Sequence, residues 1–183
     1  MVTDHVHDEA CEVAHGDRPA PETGPRTLIA VFESPVAEFM LRLGLDLGYR
    51  TVLVEPDAVR LGGRPRAHGD AVVNSLEAAV PDGNTDVVVT DHDRPELGGV
   101  LRDALKRSSR WIGVMGSPRH AGPHVAALRD LGVPDDEIAR VHRPIGLNIG
   151  SRTPAEIAIA TLAGLVADRN GRPGGFVWRD PAA

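Results

Sequence analysis

Gly116-Ser117-Pro118-Arg119 sets a hydroxyl and a fixed cation two residues apart, directly after a glycine that permits a tight turn. Ser117 reads as a helix N-cap, Pro118 as the first helical residue and Arg119 as a clamp for an anion. A purely structural turn is the alternative. Ser117 lacks the flanks of a G-x-S-x-G nucleophile. Thr90-Asp91-His92-Asp93 gathers three titratable groups in one turn, where a carboxylate can orient an imidazole or raise its pKa. Asp91 and His92 therefore either border a ligand cleft or cap the helix that follows. Adjacent side chains rarely converge on one ion, so no metal is assigned.

Two further positions carry the same kind of signal. Glu33-Ser34-Pro35 stands where a dinucleotide-binding turn would place G-x-G-x-x-G, yet it has no glycine, and its proline removes an N–H that a phosphate would use. Ser34 can still offer its hydroxyl to a phosphate at a helix N-terminus, or serve as a plain cap. Glu55, 21 residues after Ser34, sits where an acid would accept hydrogen bonds from ribose hydroxyls. A solvated strand-end acid is the other reading. His5, His7, Cys11 and His15 near the start match no closed zinc spacing.

These residues share a position: each follows a short apolar run. Thr27 to Phe32, Thr51 to Val54, Asp70 to Val73, Asp86 to Thr90 and Trp111 to Met115 read as strands. Helical stretches separate them, at Pro35 to Leu47, Ser75 to Val80 and Pro95 to Lys106. The alternation predicts an α/β fold, a three-layer doubly wound parallel sheet with right-handed crossovers, whose ligands lie outside the strand C-termini. Thr153-Pro154-Ala155-Glu156 is a capping box that opens a last helix. Ile157 to Ala167 is apolar on nearly every side, which predicts burial all round against the sheet and a second subunit.

Composition narrows the function classes. The chain has 183 residues, 42% hydrophobic but only 3% aromatic, so an aliphatic core is expected in one domain spanning 26–170. Residues 1–25 carry Asp4, Asp8, Glu9, Glu12, Asp17 and Glu22 against Arg18 alone, which accounts for −5 of the net charge of −6. They read as a disordered acidic tail, and 171–183 as a Gly/Pro-rich C-terminal tail. No basic stripe tracks phosphates, so nucleic acid is not an expected partner. One cysteine, no signal peptide and no membrane span predict a cytoplasmic protein.

The run from Arg140 to Ala158 contains Pro144-Ile145-Gly146-Leu147-Asn148-Ile149-Gly150 leading into Thr153-Pro154-Ala155-Glu156-Ile157-Ala158. It resembles a signature of the XdhC/CoxI family, in which a strand and a P-I-G-L-[DN]-I-G loop precede a T-P-x-E-I-A helix. Trp111-Ile112-Gly113-Val114-Met115-Gly116-Ser117 is similar to that family's Y-I-G-x-x-G-S turn, and Thr90-Asp91-His92-Asp93 to its T-[HD]-[DH] loop. The resemblance implies a Rossmann domain from an accessory factor that matures molybdenum hydroxylases such as xanthine dehydrogenase. Family members bind molybdenum cofactor and hand it to the apoenzyme. The family's other half, with its S-x-G-G-C segment, has no counterpart here, and Cys11 sits in no comparable context. The expected partners are thus a molybdenum hydroxylase apoenzyme or a separate XdhC N-terminal-type chain, and a second copy in a homodimer.

The expected function is a binding module without assigned bond-making chemistry. Ser34 and Ser117 would contact phosphate, with Gly116 shaping the turn and Arg119 supplying charge. Glu55 would face a ribose, Asp91 and His92 would border the cleft, and Gly146 and Asn148 would shape the last loop. Molybdenum cofactor is the first candidate ligand and NAD(P) the second. The rival readings are a small NAD(P)-dependent oxidoreductase and a structural subunit with an empty site.

Overall fold

The computed structural model describes residues 9–19, 24–61, 69–117 and 122–175. Six parallel strands form one sheet: β1 (Arg26–Val31), β2 (Tyr49–Val54), β3 (Ala71–Val73), β4 (Thr85–Val89), β5 (Trp111–Val114) and β6 (Val141–His142). Their order is β3-β2-β1-β4-β5-β6, so the chain starts in the middle and winds outward first one way and then the other. Leu28, Ile29, Ala30 and Val31 of the central strand are wholly buried, as expected of a sheet covered on both faces.

Alternation along each strand sorts the core into two layers. Ile29, Val31, Val54, Val87, Val89, Ile112 and Val114 face one side, with Leu76, Leu101 and Leu128. Those three come from α4 (Leu76–Ala79), α5 (Leu97–Leu105) and α6 (Pro123–Asp130). Leu28, Val88 and Met115 meet Met40, Leu162 and Leu165 on the other side. That layer is built by α2 (Pro35–Asp46) and α8 (Pro154–Arg169), which pack on each other. The short α3 (Ala58–Leu61) follows β2, and α7 (Asp135–Ile138) precedes β6. The three-layer parallel arrangement is the one expected from the sequence.

Three local features bear on the expectations from sequence. The capping box at α8 is present in full, and the helix buries Ala158, Ala160, Thr161, Leu162 and Leu165, but Ile159 is 52% exposed, so burial does not run all the way round. After β5, α6 opens on Gly122 as N-cap and Pro123 as its first residue, whereas Pro118, read from the sequence as a first helical residue, lies outside the described residues. Within the stretch read as a disordered tail, α1 (Glu9–His15) is helical, with Arg18 paired to Glu9 at 2.7 Å and no residue buried.

Candidate functional site

The register brings four strand ends level. Val31 pairs with Val54 on one side and Val89 on the other, and Val89 pairs with Val114. The turns that carry the candidate residues therefore start from one line, and the reversal of strand order falls between β1 and β4.

The glycine-free turn after β1 keeps the backbone shape that glycine would supply. Phe32 has φ 74°, a left-handed conformation, and its ring is wholly buried. Thr90 ties this turn to β4 by donating to the carbonyls of Val31 and Phe32, at 3.0 and 2.9 Å. Ser34 donates to the Thr90 hydroxyl at 3.0 Å and accepts the Ala37 N–H at 3.1 Å. Of the two readings of Ser34, the geometry realises the helix cap.

Glu55 is put to a use the sequence reading did not foresee. Its carboxylate is fully buried and accepts from the Glu33 N–H at 2.8 Å, the Asp57 N–H at 2.9 Å and both terminal nitrogens of Arg94 at 3.2 and 2.9 Å. Burial pushes its pKa up, but the Arg94 bonds and the two backbone donors outweigh this and hold it below the ordinary carboxylate value. Arg94 in turn lies over the Phe32 ring at 4.5 Å and reaches Glu96. The expectation that Glu55 faces a ribose is thus corrected: the protein itself occupies its lone pairs.

Asp91 and His92 remain half-buried beside this clasp. Asp91 accepts the Asp93 N–H at 3.0 Å, which holds the loop in an Asx turn, and the His92 ring is 3.7 Å from the Asp93 carboxylate. Beyond β5, Gly116 is half-buried and Ser117 exposed. A Cβ on Gly116 would lie 2.5 to 2.9 Å from the Arg143 guanidinium, which donates to the Ser117 carbonyl at 3.2 Å. A side chain here would push that arginine aside, a consequence no local turn rule supplies. Arg119 falls outside the described residues.

The last loop is a packing device. Gly146 has φ 85°, and a Cβ there would come within 3.2 Å of the α8 backbone at Ala160 and Thr161, while Gly164 faces it from the helix. Asn148 is exposed on the same loop. Arg94 and Arg143 are the residues sequence reasoning missed: each is a lone arginine whose partner lies far along the chain. A groove of about 470 Å³ runs from the β2 tip at Val54 and Pro56 to Pro95 and Gly99 of the α5 entry. Among the described residues, no group of three or more His, Cys, Asp or Glu side chains could hold a metal ion, and no helix is long and apolar enough to cross a membrane.

The strand order, with level tips on both sides of the reversal, defines a Rossmann-like α/β fold. Within that class the chain belongs to the XdhC Rossmann domain family, whose pattern matches residues 28–165. It is similar to an uncharacterized protein, YqeB, of Escherichia coli strain K12, with 34% identity over 109 residues, 60% of this chain and 19% of that protein. Its fold is similar to that of a protein described as a xanthine dehydrogenase (BH1974) from Bacillus halodurans, with TM-score 0.64 and 20% identity over 84% of this chain and 45% of the other. The chain spans about a fifth of the length of the first relative and under half of the second.

Proposed function

We propose that this domain serves the maturation of a molybdenum hydroxylase of the xanthine dehydrogenase type. In this reading it holds a nucleotide-bearing ligand, molybdenum cofactor foremost, on the C-terminal tips of β1, β4 and β5. The observation that carries the reading is the XdhC Rossmann match over residues 28–165, laid on a sheet whose level tips present Ser34, Asp91, His92, Gly116 and Ser117 on adjacent turns. The expected partners are the hydroxylase apoenzyme or a separate XdhC N-terminal-type chain, with a second copy of this one in a homodimer.

The donor set suits the phosphate-bearing end of such a ligand rather than its metal. Exposed Ser117 offers a hydroxyl, half-buried Asp91 and His92 offer polar edges, and the Arg143 guanidinium stands at the β5 tip. No thiol lies among them, since Cys11 is exposed on α1. NAD(P) is the weaker candidate because Glu55, the residue placed for a ribose, is engaged by Arg94.

Thermal unfolding with molybdenum cofactor, cytidine nucleotides and NAD(P) in parallel tests this reading, together with co-purification with a molybdenum hydroxylase apoenzyme. A ligand at 100 times its Kd adds about 2.7 kcal/mol. Stabilisation by the cofactor with capture of the apoenzyme is expected. Stabilisation by NAD(P) alone, or by nothing and with no capture, overturns it.

A further inference from the structure

The sheet edge beyond β5 holds a second feature. Arg143, just past β6, is laid across the bare Cα of Gly116, and its Cδ lies 3.2 Å from where a Cβ of Gly122 would stand. Gly116 thus makes room for the guanidinium, while Gly122 makes room for the His124 ring, whose Cε1 and Nδ1 would stand 2.5 Å from a Cβ there. Gly122 is the N-cap of α6, and no side chain caps that helix, whose first residue is Pro123. The positive end of the helix dipole therefore points toward the place where the guanidinium is held.

His124, in the first turn of α6, is 6% exposed, and its Nδ1 is buried with no hydrogen-bond partner among the described residues. A buried ring nitrogen without a partner is costly and calls for an explanation, of which a bound ligand or ion is one. Burial, and then the neighbouring Arg143 charge, push the His124 pKa down. The ring is thus neutral near pH 7 and adds no second cation beside Arg143. Gly122, His124 and Arg143 line one side of a recess of about 470 Å³; Arg129 and Asp135 on the same rim neutralise each other at 2.8 Å. Among the described residues, the recess thus brings together the Arg143 guanidinium, a helix N-terminus and a buried imidazole.

We propose that this recess is an oxyanion subsite, in which Arg143, the α6 N-terminus and His124 receive a phosphate- or carboxylate-type group. The subsite deepens the proposed function and rests on it for the identity of the natural ligand, since it adjoins the Gly116-Ser117 turn. The expectation from sequence gave the anion to Arg119; the geometry gives it to a residue 24 positions later.

Calorimetric titration of the intact chain with inorganic pyrophosphate and with citrate tests the subsite without molybdenum cofactor or any client enzyme. One of the two anions should bind the wild type, the tighter one telling phosphate from carboxylate chemistry. Arg143→Ala should weaken it about tenfold or more, as loss of a charge-assisted contact does. Arg143→Lys keeps the charge and the inner methylenes, guarding against a misfolded alanine variant, and should lose affinity to a smaller degree. Arg102→Ala, on α5, should leave binding within about twofold. Absence of binding by both anions overturns the subsite, as does unchanged affinity in both Arg143 variants. Anion binding sensitive to Arg143, with no cofactor shift and no apoenzyme capture, keeps the subsite and sinks the maturation reading.

Discussion

The carboxylate of Glu55 and the guanidinium of Arg94 meet in a two-pronged pair that is all but sealed from solvent, joining the tip of β2 to the loop after β4. Breaking one side of such a buried pair typically costs about 3–5 kcal/mol, whereas replacing both partners by apolar side chains is often neutral. Glu55 differs from a simple pair because it also accepts two backbone N–H groups, from Glu33 and Asp57. Arg94→Met should therefore lower stability by about 3–5 kcal/mol, and the double variant Glu55→Leu/Arg94→Met should recover only part of it, since two half-buried N–H donors lose their acceptor at about 1 kcal/mol each. Urea denaturation of the three proteins measures this. A double variant as stable as the wild type removes the backbone-clasp role of Glu55.

The same carboxylate predicts an acid limit. Its pKa is lower in the folded chain than its ordinary value of 4.5. The unfolded chain thus binds its proton first as pH falls, and the stability it contributes is complete above pH 4.5 and lost as pH drops through the folded value. Glu55→Gln should flatten the stability profile in that window. An equally steep acid limb in the variant assigns the loss to other carboxylates.

Phe32 shows why the turn lacks glycine. A left-handed non-glycine residue costs about 1–2 kcal/mol, but removing a fully buried phenylalanine costs about 3–5 kcal/mol. Burial wins, and the Arg94 stack at 4.5 Å adds to it. Phe32→Gly should accordingly destabilise by about 2–3 kcal/mol net despite relieving the backbone. A gain in stability on denaturant unfolding would show that strain, not packing, dominates this turn.

How much of this was legible in the sequence follows from the range of each interaction. The five longer strands and their helices announce themselves through runs of local apolar residues, and Thr153 with Glu156 marks the α8 start because cap and box lie three residues apart. β6 has two residues, Val141 and His142, too few for any period, and only the family-like segment around it marked the place. Phe32 gives no hint of a positive φ, because tertiary packing imposes it. Arg94 and Arg143 act on residues 39 and 26 positions earlier, Glu55 and Ser117, and such pairings have no local spacing to read. The four turns were found as a group because the fold rule locates them; which group each side chain serves was set by contacts across the sheet.

Gly113 carries a second prediction of the same long-range kind. A Cβ there would collide with the Trp111 ring and stand 2.9 Å from Ile145, and Trp111 itself stacks on His142 with ring centres 5.0 Å apart. Gly113→Ala should cost about 1–3 kcal/mol through overpacking and should shift the Trp111 emission as the ring is displaced. Fluorescence in a Trp178→Phe background isolates that signal. An unchanged spectrum and midpoint would mean that the indole moves aside freely.

His124 gives the opposite pH window to a paired histidine. Its pKa is depressed below 6.5 in the folded chain, so the unfolded chain takes up the proton first. Stability should be full above that value and fall as pH drops below 6.5 toward the folded pKa. His124→Asn should lose this dependence between pH 7 and 5 while retaining the fold. A variant with the wild-type slope shifts the effect to one of the other histidines.

Asp86 anchors the opposite end of the sheet from the candidate site. It is fully buried at the start of β4 and accepts from Arg110 at 2.6 Å, Arg169 at 2.9 Å and the Tyr49 hydroxyl at 3.3 Å. Arg169 is the last residue of α8 and also reaches Asn84 at 2.7 Å, so the helix is fixed at its C-terminal end by charge and at its start by the Thr153–Glu156 box. Burial raises the Tyr49 pKa, and the Asp86 charge raises it further, which keeps that hydroxyl protonated as a donor. Asp86→Asn leaves Arg169 without its counter-charge and Arg110 with Asp168 alone, and should cost about 3–5 kcal/mol, against about 1 kcal/mol for Thr153→Ala at the exposed cap. Hydrogen exchange separates the two: the Asp86 variant should raise exchange through β4 and the last turn of α8, the Thr153 variant only in the first. If both loosen the same end of α8, the two anchors are not independent, and the helix is held by its apolar face on α2 alone.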